Sequence, residues 1–493
     1  MPERRYTVTL QQRIETLLTG LIAWIFPAML VAIAGVLLLW RLSHIESENA
    51  SAIPLQVLEQ SAPGVVLESR GQIVEQLRLK KATFSVETKL STNAFWILLE
   101  PAADSGHADD SVINFPSRHA ISLSCWDVQT DRALGSANRW ATEGQLSKSR
   151  AGFALSRSAD APLEAAICQG FYKGPARISA DLWDKNSLSL AEVSHHKTGA
   201  MIEAGIGVLA LFMLLTAWVN KSPLYLTFVG WLLLNMRMAG LSAGTDFDLF
   251  GVVIEPSALV QFRQWTVCLY FSMTGVLFSK LFKQELADLR AGWALSAMQL
   301  STIVLPIICL FLSFEQTLHV LWPSTALGIS IIAWYLVKIM RRSPSRVAAW
   351  YAASIGITLL ASLNEVIAAS TGQRALITGL NSMTAALTSA LLASAAVAEH
   401  MRAVRREKTE AQRSLNTAYQ GSPMGLFTVN AQGALVKSNP AFNAMLTTVR
   451  PDLPVLLSQI FDQDVIRAID KLRASGNQEP LDLKTRVTPP DST

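Results

Sequence analysis

Gly199-Ala200-Met201-Ile202-Glu203-Ala204-Gly205-Ile206-Gly207-Val208-Leu209-Ala210-Leu211-Phe212-Met213-Leu214-Leu215-Thr216-Ala217-Trp218-Val219 carries one charge, Glu203. As a helix rising about 1.5 Å per residue it crosses a hydrocarbon core of roughly 30 Å. Six more apolar segments follow, at about 224–241, 258–281, 291–313, 318–339, 346–370 and 376–399. Together they predict a bundle of seven transmembrane helices over 199–399.

Working outward toward the N-terminus, Thr16 to Trp40 is free of charge and flanked by Arg4, Arg5, Arg13 and Arg41. It exceeds the 7–15 apolar residues of a signal peptide's core, so residues 16–42 read as a retained anchor after a cytoplasmic segment 1–15. Ala50-Ser51-Ala52 offers a weak cleavage-like alternative. With residues 1–15 inside, Lys221, Lys280, Lys283, Arg290, Lys338, Arg341, Arg342, Arg346, Arg402, Arg405, Arg406 and Lys408 all fall on the cytoplasmic side. The outer loops 242–257, 314–317 and 371–375 hold one base, Arg374. The positive-inside rule therefore sets the orientation, with both chain ends inside a bacterial inner membrane.

Half of the residues are hydrophobic and 16% are charged, and mean hydropathy is +0.30. A net charge of +4 from dispersed bases argues against a nucleic-acid partner. The lipid bilayer is the partner that the composition demands.

Residues 43–198 would lie in the periplasm. Short runs such as Phe95 to Leu99, Ala120 to Trp126 and Ala176 to Trp183 are strand-like, with turn-prone Asp104-Ser105-Gly106 and Lys173-Gly174-Pro175 between them. They predict an all-β sandwich, jelly-roll-like in kind. That compartment permits a disulfide between Cys125 and Cys168, and the sequence leaves open whether they bond. Cys268 and Cys309, inside apolar helices, read as small packing residues. Trp96, Trp126, Trp140 and Trp183 could offer aromatic faces to a carbohydrate, although strand tryptophans are more often core. Trp140, in the irregular Asn138-Arg139-Trp140, is the one expected to be exposed. His195-His196 point about 100° apart on a helix, which suits a polar interfacial role better than a metal pair.

Four charges lie within the apolar segments: Glu203, Arg237, Arg263 and Glu365, with Asn364 and Asn381 at similar depth. Two acids and two bases at one level are more readily stabilised as partners than alone. A network that fixes helix packing is their commoner role; the sharper alternative is the floor of an outward-facing pocket or a switch that re-pairs on ligand binding.

Beyond the bundle, Val397, Met401, Val404, Ala411 and Leu415 are spaced 4, 3, 7 and 4 among charged residues. This short heptad seam predicts a coiled-coil-like signalling helix over 397–418, suited to a homodimer. Next come Ser422-Pro423-Met424-Gly425-Leu426-Phe427-Thr428-Val429-Asn430, then Gly433-Ala434-Leu435-Val436, then Asn439-Pro440-Ala441-Phe442-Asn443-Ala444-Met445-Leu446. They predict strand, turn, strand and a helix with Asn439 as N-cap and Pro440 at its first position.

That last pattern resembles the opening of a PAS domain. The layout over roughly 50–400, with Lys197-Thr198-Gly199-Ala200 opening the bundle and Ser222-Pro223-Leu224-Tyr225-Leu226 within it, resembles the seven-transmembrane receptors with diverse intracellular signalling modules (7TMR-DISM). The resemblance implies a C-terminal output beyond these residues, and an extracytoplasmic small molecule or carbohydrate is the expected ligand. Cyclic-di-GMP synthesis or hydrolysis is the leading output, a sensor histidine kinase the runner-up, and a transporter the alternative of a different class. Residues 419–493 fall short of the roughly 100 that a PAS domain needs, with a third strand expected near Leu481 to Val487, so the chain is expected to be a fragment of a longer protein.

No catalytic signature accompanies these elements: there is no His-Glu-x-x-His, phosphate-binding glycine loop, Cys-x-x-Cys or Gly-Gly-Asp-Glu-Phe. No histidine follows His400 and no cysteine follows Cys309, so the PAS-like stretch supplies no ligand for haem and no thiol for flavin. No cofactor is expected in this chain, and a complete PAS domain leaves that question open. The absence of lysine from 376–399 argues against a retinal Schiff base.

Overall fold

A computed structural model describes residues 50–60, 69–100, 111–149, 151–157, 165–249, 252–289, 292–342, 345–371, 382–430, 434–447 and isolated positions from 461 to 471. The anchor 16–42, the expected third strand near 481–487 and the side chains of Asn364, Glu365 and Asn381 lie outside the described residues.

Residues 50–184 form two antiparallel sheets. The larger comprises β2 (Leu55–Glu59), β4 (Phe95–Leu99), β11 (Ala166–Tyr172), β6 (Ala120–Asp127), β7 (Ala133–Asn138) and β8 (Thr142–Gly144), in that spatial order. The other runs β1 (Ala50–Ile53), β13 (Ala180–Asp184), β5 (Ser111–Phe115), β10 (Gly152–Ser156) and β9 (Leu146–Ser149). Short β3 (Val86–Glu87) pairs with β12 (Arg177–Ile178).

Every residue of β4 and β5 is buried, because each of these two strands is covered on both faces. Phe95, Ile97 and Leu99 meet Ile113, Phe115, Phe153 and Leu155 between the sheets. On the other face of β4, Trp96 and Leu98 pack under Ile73, Val74 and Leu77 of helix α1 (Arg70–Arg78). The β-rich reading did not anticipate this helix. Cys125 and Cys168 stand opposite each other on β6 and β11 and are disulfide-bonded.

The sandwich leads directly into α2 (Lys185–Asn220), a helix of 36 residues that starts well before the expected boundary at residue 199. Asp184, the last residue of β13, accepts from Ser187 N at 3.0 Å and caps it. The first turns of α2 are too polar for a hydropathy reading, yet Leu188 and Ala191 pack on Val112, Ala154 and Trp183 of the sandwich.

Helices α3 (Pro223–Ala243), α4 (Pro256–Leu281), short α5 (Lys283–Asp288), α6 (Trp293–Cys309), α7 (Phe314–Arg342), α8 (Arg346–Thr371) and α9 (Ser382–Gly421) follow. Among the described residues, α2, α3 and α7 are long and apolar enough to cross a membrane. Val208, Leu211, Phe212 and Leu215 of α2, Ile303 and Ile307 of α6, and Phe311 just beyond it face outward, as lipid contact requires. Cys268 and Cys309 correct the sequence expectation: they form a second disulfide, joining α4 to α6. Sequence spacing gave no sign that these two helices stand side by side.

The chain divides into two compact units at Glu399 and His400. In the second, β14 (Phe427–Val429) and β15 (Leu435–Ser438) form a hairpin followed by α10 (Pro440–Thr447). Fully buried Asn439 accepts from Leu426 N and Phe442 N at 2.8 and 2.9 Å and donates to Met424 O at 2.8 Å, tying hairpin and helix together.

Candidate functional site

The sandwich meets the helices around the turn that ends α3. Gly244 sits at φ 76°, the left-handed conformation that closes a helix without steric penalty, and a Cβ there would lie 2.9 Å from Ala151 Cβ of the sandwich. Thr245 and Asp246 follow, and Asp246 is fully buried.

Its carboxylate receives both sides of the Arg263 guanidinium: Nε bonds Oδ2, and Nη2 bonds Oδ1 at 2.9 Å. Arg263, on the second turn of α4, is also buried, and Nη2 reaches Arg118 O at 3.3 Å. Arg118 in turn donates from Nη1 to Ser242 O at 3.4 Å. Arg237 donates to Asp246 O at 3.0 Å, and Thr245 Oγ1 donates to Glu203 at 3.3 Å. Three of the four charges noted in the sequence thus converge on one turn, residues 240–246. The acid facing Arg263 is Asp246, a loop residue that a search of the apolar segments passes over. Truncating one partner of such a pair costs about 3–5 kcal/mol, because it strands the other charge away from water.

Sandwich cations crowd the same place. Buried Arg139 donates to Ala120 O, Ser117 O and Ala151 O at 2.8, 3.0 and 2.8 Å. Burial and Arg263 depress its pKa to about 10, with Asp246 opposing the shift. His119 Nδ1 lies 3.1 Å from Lys173 O, and its Nε2 accepts from Arg118 Nε at 3.4 Å. Those partners assign the tautomer with the proton on Nδ1. Burial first, then Arg118 and Arg263, hold the imidazole well below its usual pKa. Arg118, His119, Arg139 and Asp246 were absent from the sequence-based candidates, since no periodicity distinguishes a buried loop charge from a solvated one.

Further contacts complete the junction. Trp140 Nε1 donates to Ile254 O at 3.0 Å, His195 Nε2 lies 3.1 Å from Ala243 O, and Lys173 pairs with Glu315 at 3.8 Å. Trp140 is half-buried and engaged with the helical part rather than openly exposed. Trp96 packs with Trp126 at 5.9 Å on the large sheet while Trp183 is buried on the other, so the four indoles share no common face. Among the described residues no cluster of histidine, cysteine, aspartate or glutamate could hold a metal.

No family model matches the chain, and no curated protein matches it. The junction joins the sandwich to the helices through buried charge.

Proposed function

We propose that this chain is the sensing and relay part of a bacterial inner-membrane receptor. The sandwich receives an extracytoplasmic ligand, the seven helices cross the bilayer and carry the change, and α9 delivers it to a PAS-like module. The single observation that carries this reading is the buried junction: Asp246, held by Arg263 and Arg237, lies against sandwich residues that also grip the end of α3. A tether would need no such network. The direct passage from β13 into the 36-residue α2 supplies a second rigid connection.

Placement of the sandwich in the periplasm follows from the lysine and arginine asymmetry of the loops. Output through cyclic-di-GMP turnover rests on resemblance to 7TMR-DISM, with a histidine kinase as the runner-up. Small molecules, including carbohydrates, are the ligand class proposed for the sandwich.

Relay through α9 has a direct test. This helix runs 40 residues without a break, and Leu415 on its heptad seam is exposed among charged neighbours, as an unsatisfied homodimer contact would be. Removing one residue between Arg405 and Ala411 turns the downstream seam by about 100°, whereas removing seven nearly restores its phase. In the full-length protein, the one-residue deletion should abolish or invert the response and the seven-residue deletion should retain it. Equal tolerance of both would reject helical coupling.

A further inference from the structure

Between the helices, below the junction, is a cavity of about 330 Å³. Its walls come from α3, α4, α6, α7, α8 and α9, and among the described residues that line it none is Asp, Glu, Lys, Arg or His. Glu203, Arg237 and Arg263 all lie outside it.

Most of its polar groups are already satisfied. Trp231 Nε1 donates to Thr274 Oγ1 at 3.0 Å, and that hydroxyl donates onward to Tyr270 O at 2.8 Å. Asn235 donates to Ala386 O, and Ser354 to Ser389 O, each at 2.8 Å. Thr302 and Thr358 bond back to carbonyls of their own helices. With these donors engaged, the wall offers mainly carbon and aromatic surface. Trp231 and Tyr270 stack with centroids 6.0 Å apart and give it a flat side. A charged guest would lose its hydration and find no counter-charge among the described walls. An uncharged apolar guest loses little and gains the contacts that an empty cavity lacks.

We infer that this cavity is a binding site for an uncharged, predominantly apolar small molecule, distinct from any site on the sandwich. Its position also connects it to both ends of the proposed relay. Ser242, in its wall, accepts the Arg118 bond at the junction, and Val267 lies one turn below Arg263 on α4. Ala385, Ala386 and Ser389 belong to α9, the helix that leaves the membrane region. An occupant therefore touches residues bonded to the sandwich and residues of the output helix together. The consequence for signalling rests on the receptor reading, whereas binding itself does not.

Photolabelling separates the two. The purified protein in detergent is irradiated with benzophenone, an uncharged diaryl ketone, or with its carboxylate analogue 4-benzoylbenzoate, and modified residues are located by mass spectrometry. Saturable labelling of Val267, Ile329 or Ile355 by the ketone, at least tenfold weaker with the carboxylate, is the expected result. Thr325→Phe, which fills the cavity, should reduce that labelling at least tenfold while non-saturable labelling of outward-facing Phe311 and Trp218 persists. If the cavity residues label only non-saturably, or equally with the anion, the proposal is overturned; this wild-type comparison decides the matter even if Thr325→Phe fails to fold. The α9 deletions report on coupling alone, so either result can fail while the other stands.

Discussion

Protonating His119 would put a hydrogen on Nε2, the atom that accepts from Arg118 Nε, and would add a cation beside Arg118, Arg139 and Arg263. Asp246, the acid of this network that faces Arg263, is already engaged by it. Because the folded imidazole has a depressed pKa, the unfolded chain binds the proton first as pH falls. The neutral ring's contribution to stability is fully present above about pH 6.5 and is lost as pH drops through and below that value, at up to about 1.4 kcal/mol per pH unit for one group. Thermal unfolding of the purified protein between pH 5 and 8 should therefore show a steeper acid loss in the wild type than in His119→Asn, whose amide can still donate to Lys173 O. Superimposable profiles would remove His119 from the pH response. Of the residues at this junction, the sequence disclosed Glu203, Arg237 and Arg263 because charge inside an apolar run is conspicuous. It concealed Asp246 among the acids of Thr245-Asp246-Phe247-Asp248, where charge is ordinary.

Among the elements, β6 and β11 carry the sandwich's covalent link. The Cys125–Cys168 bond closes a sequence separation of 43 residues, and restriction of the unfolded chain over such a loop is worth about 4 kcal/mol in the chain-entropy account. The double substitution Cys125→Ala, Cys168→Ala should lower unfolding stability by about that amount, seen as a reduced midpoint in denaturant. A variant as stable as the oxidised wild type would show that the buried pair contributes through packing alone. Strand periodicity located β4 and β6 because their apolar runs are long, yet it could not see α1, whose Ile73, Val74 and Leu77 form a short stripe among polar residues. Nor could hydropathy find the true start of α2: capping by Asp184 and two buried side chains, not overall apolarity, fix it.

For the whole molecule, orientation is the property on which the proposed function depends. Reporter fusions near Asp248 should be active outside the cytoplasm, and fusions near Arg342 and Glu410 inside it, as the loop charges require. A cytoplasmic Asp248 would place the sandwich on the wrong side and remove the extracytoplasmic ligand from the proposal. The same experiment bears on the junction, since Asp246 and the sandwich must share a side of the membrane.

The sequence by itself determined where apolar helices and strand-rich segments fall, because burial in lipid or between sheets demands long runs or regular alternation of carbon-rich side chains. It also marked the strand, turn, strand and Asn439-capped helix after Tyr419, because turn and cap residues act over a few positions. Only the tertiary structure decided which charge meets which, that Cys268 faces Cys309, that Trp140 reaches Ile254, and that six helices leave a cavity between them. Those features are contacts between residues far apart in the chain, and local spacing carries no record of which distant backbone will arrive beside them.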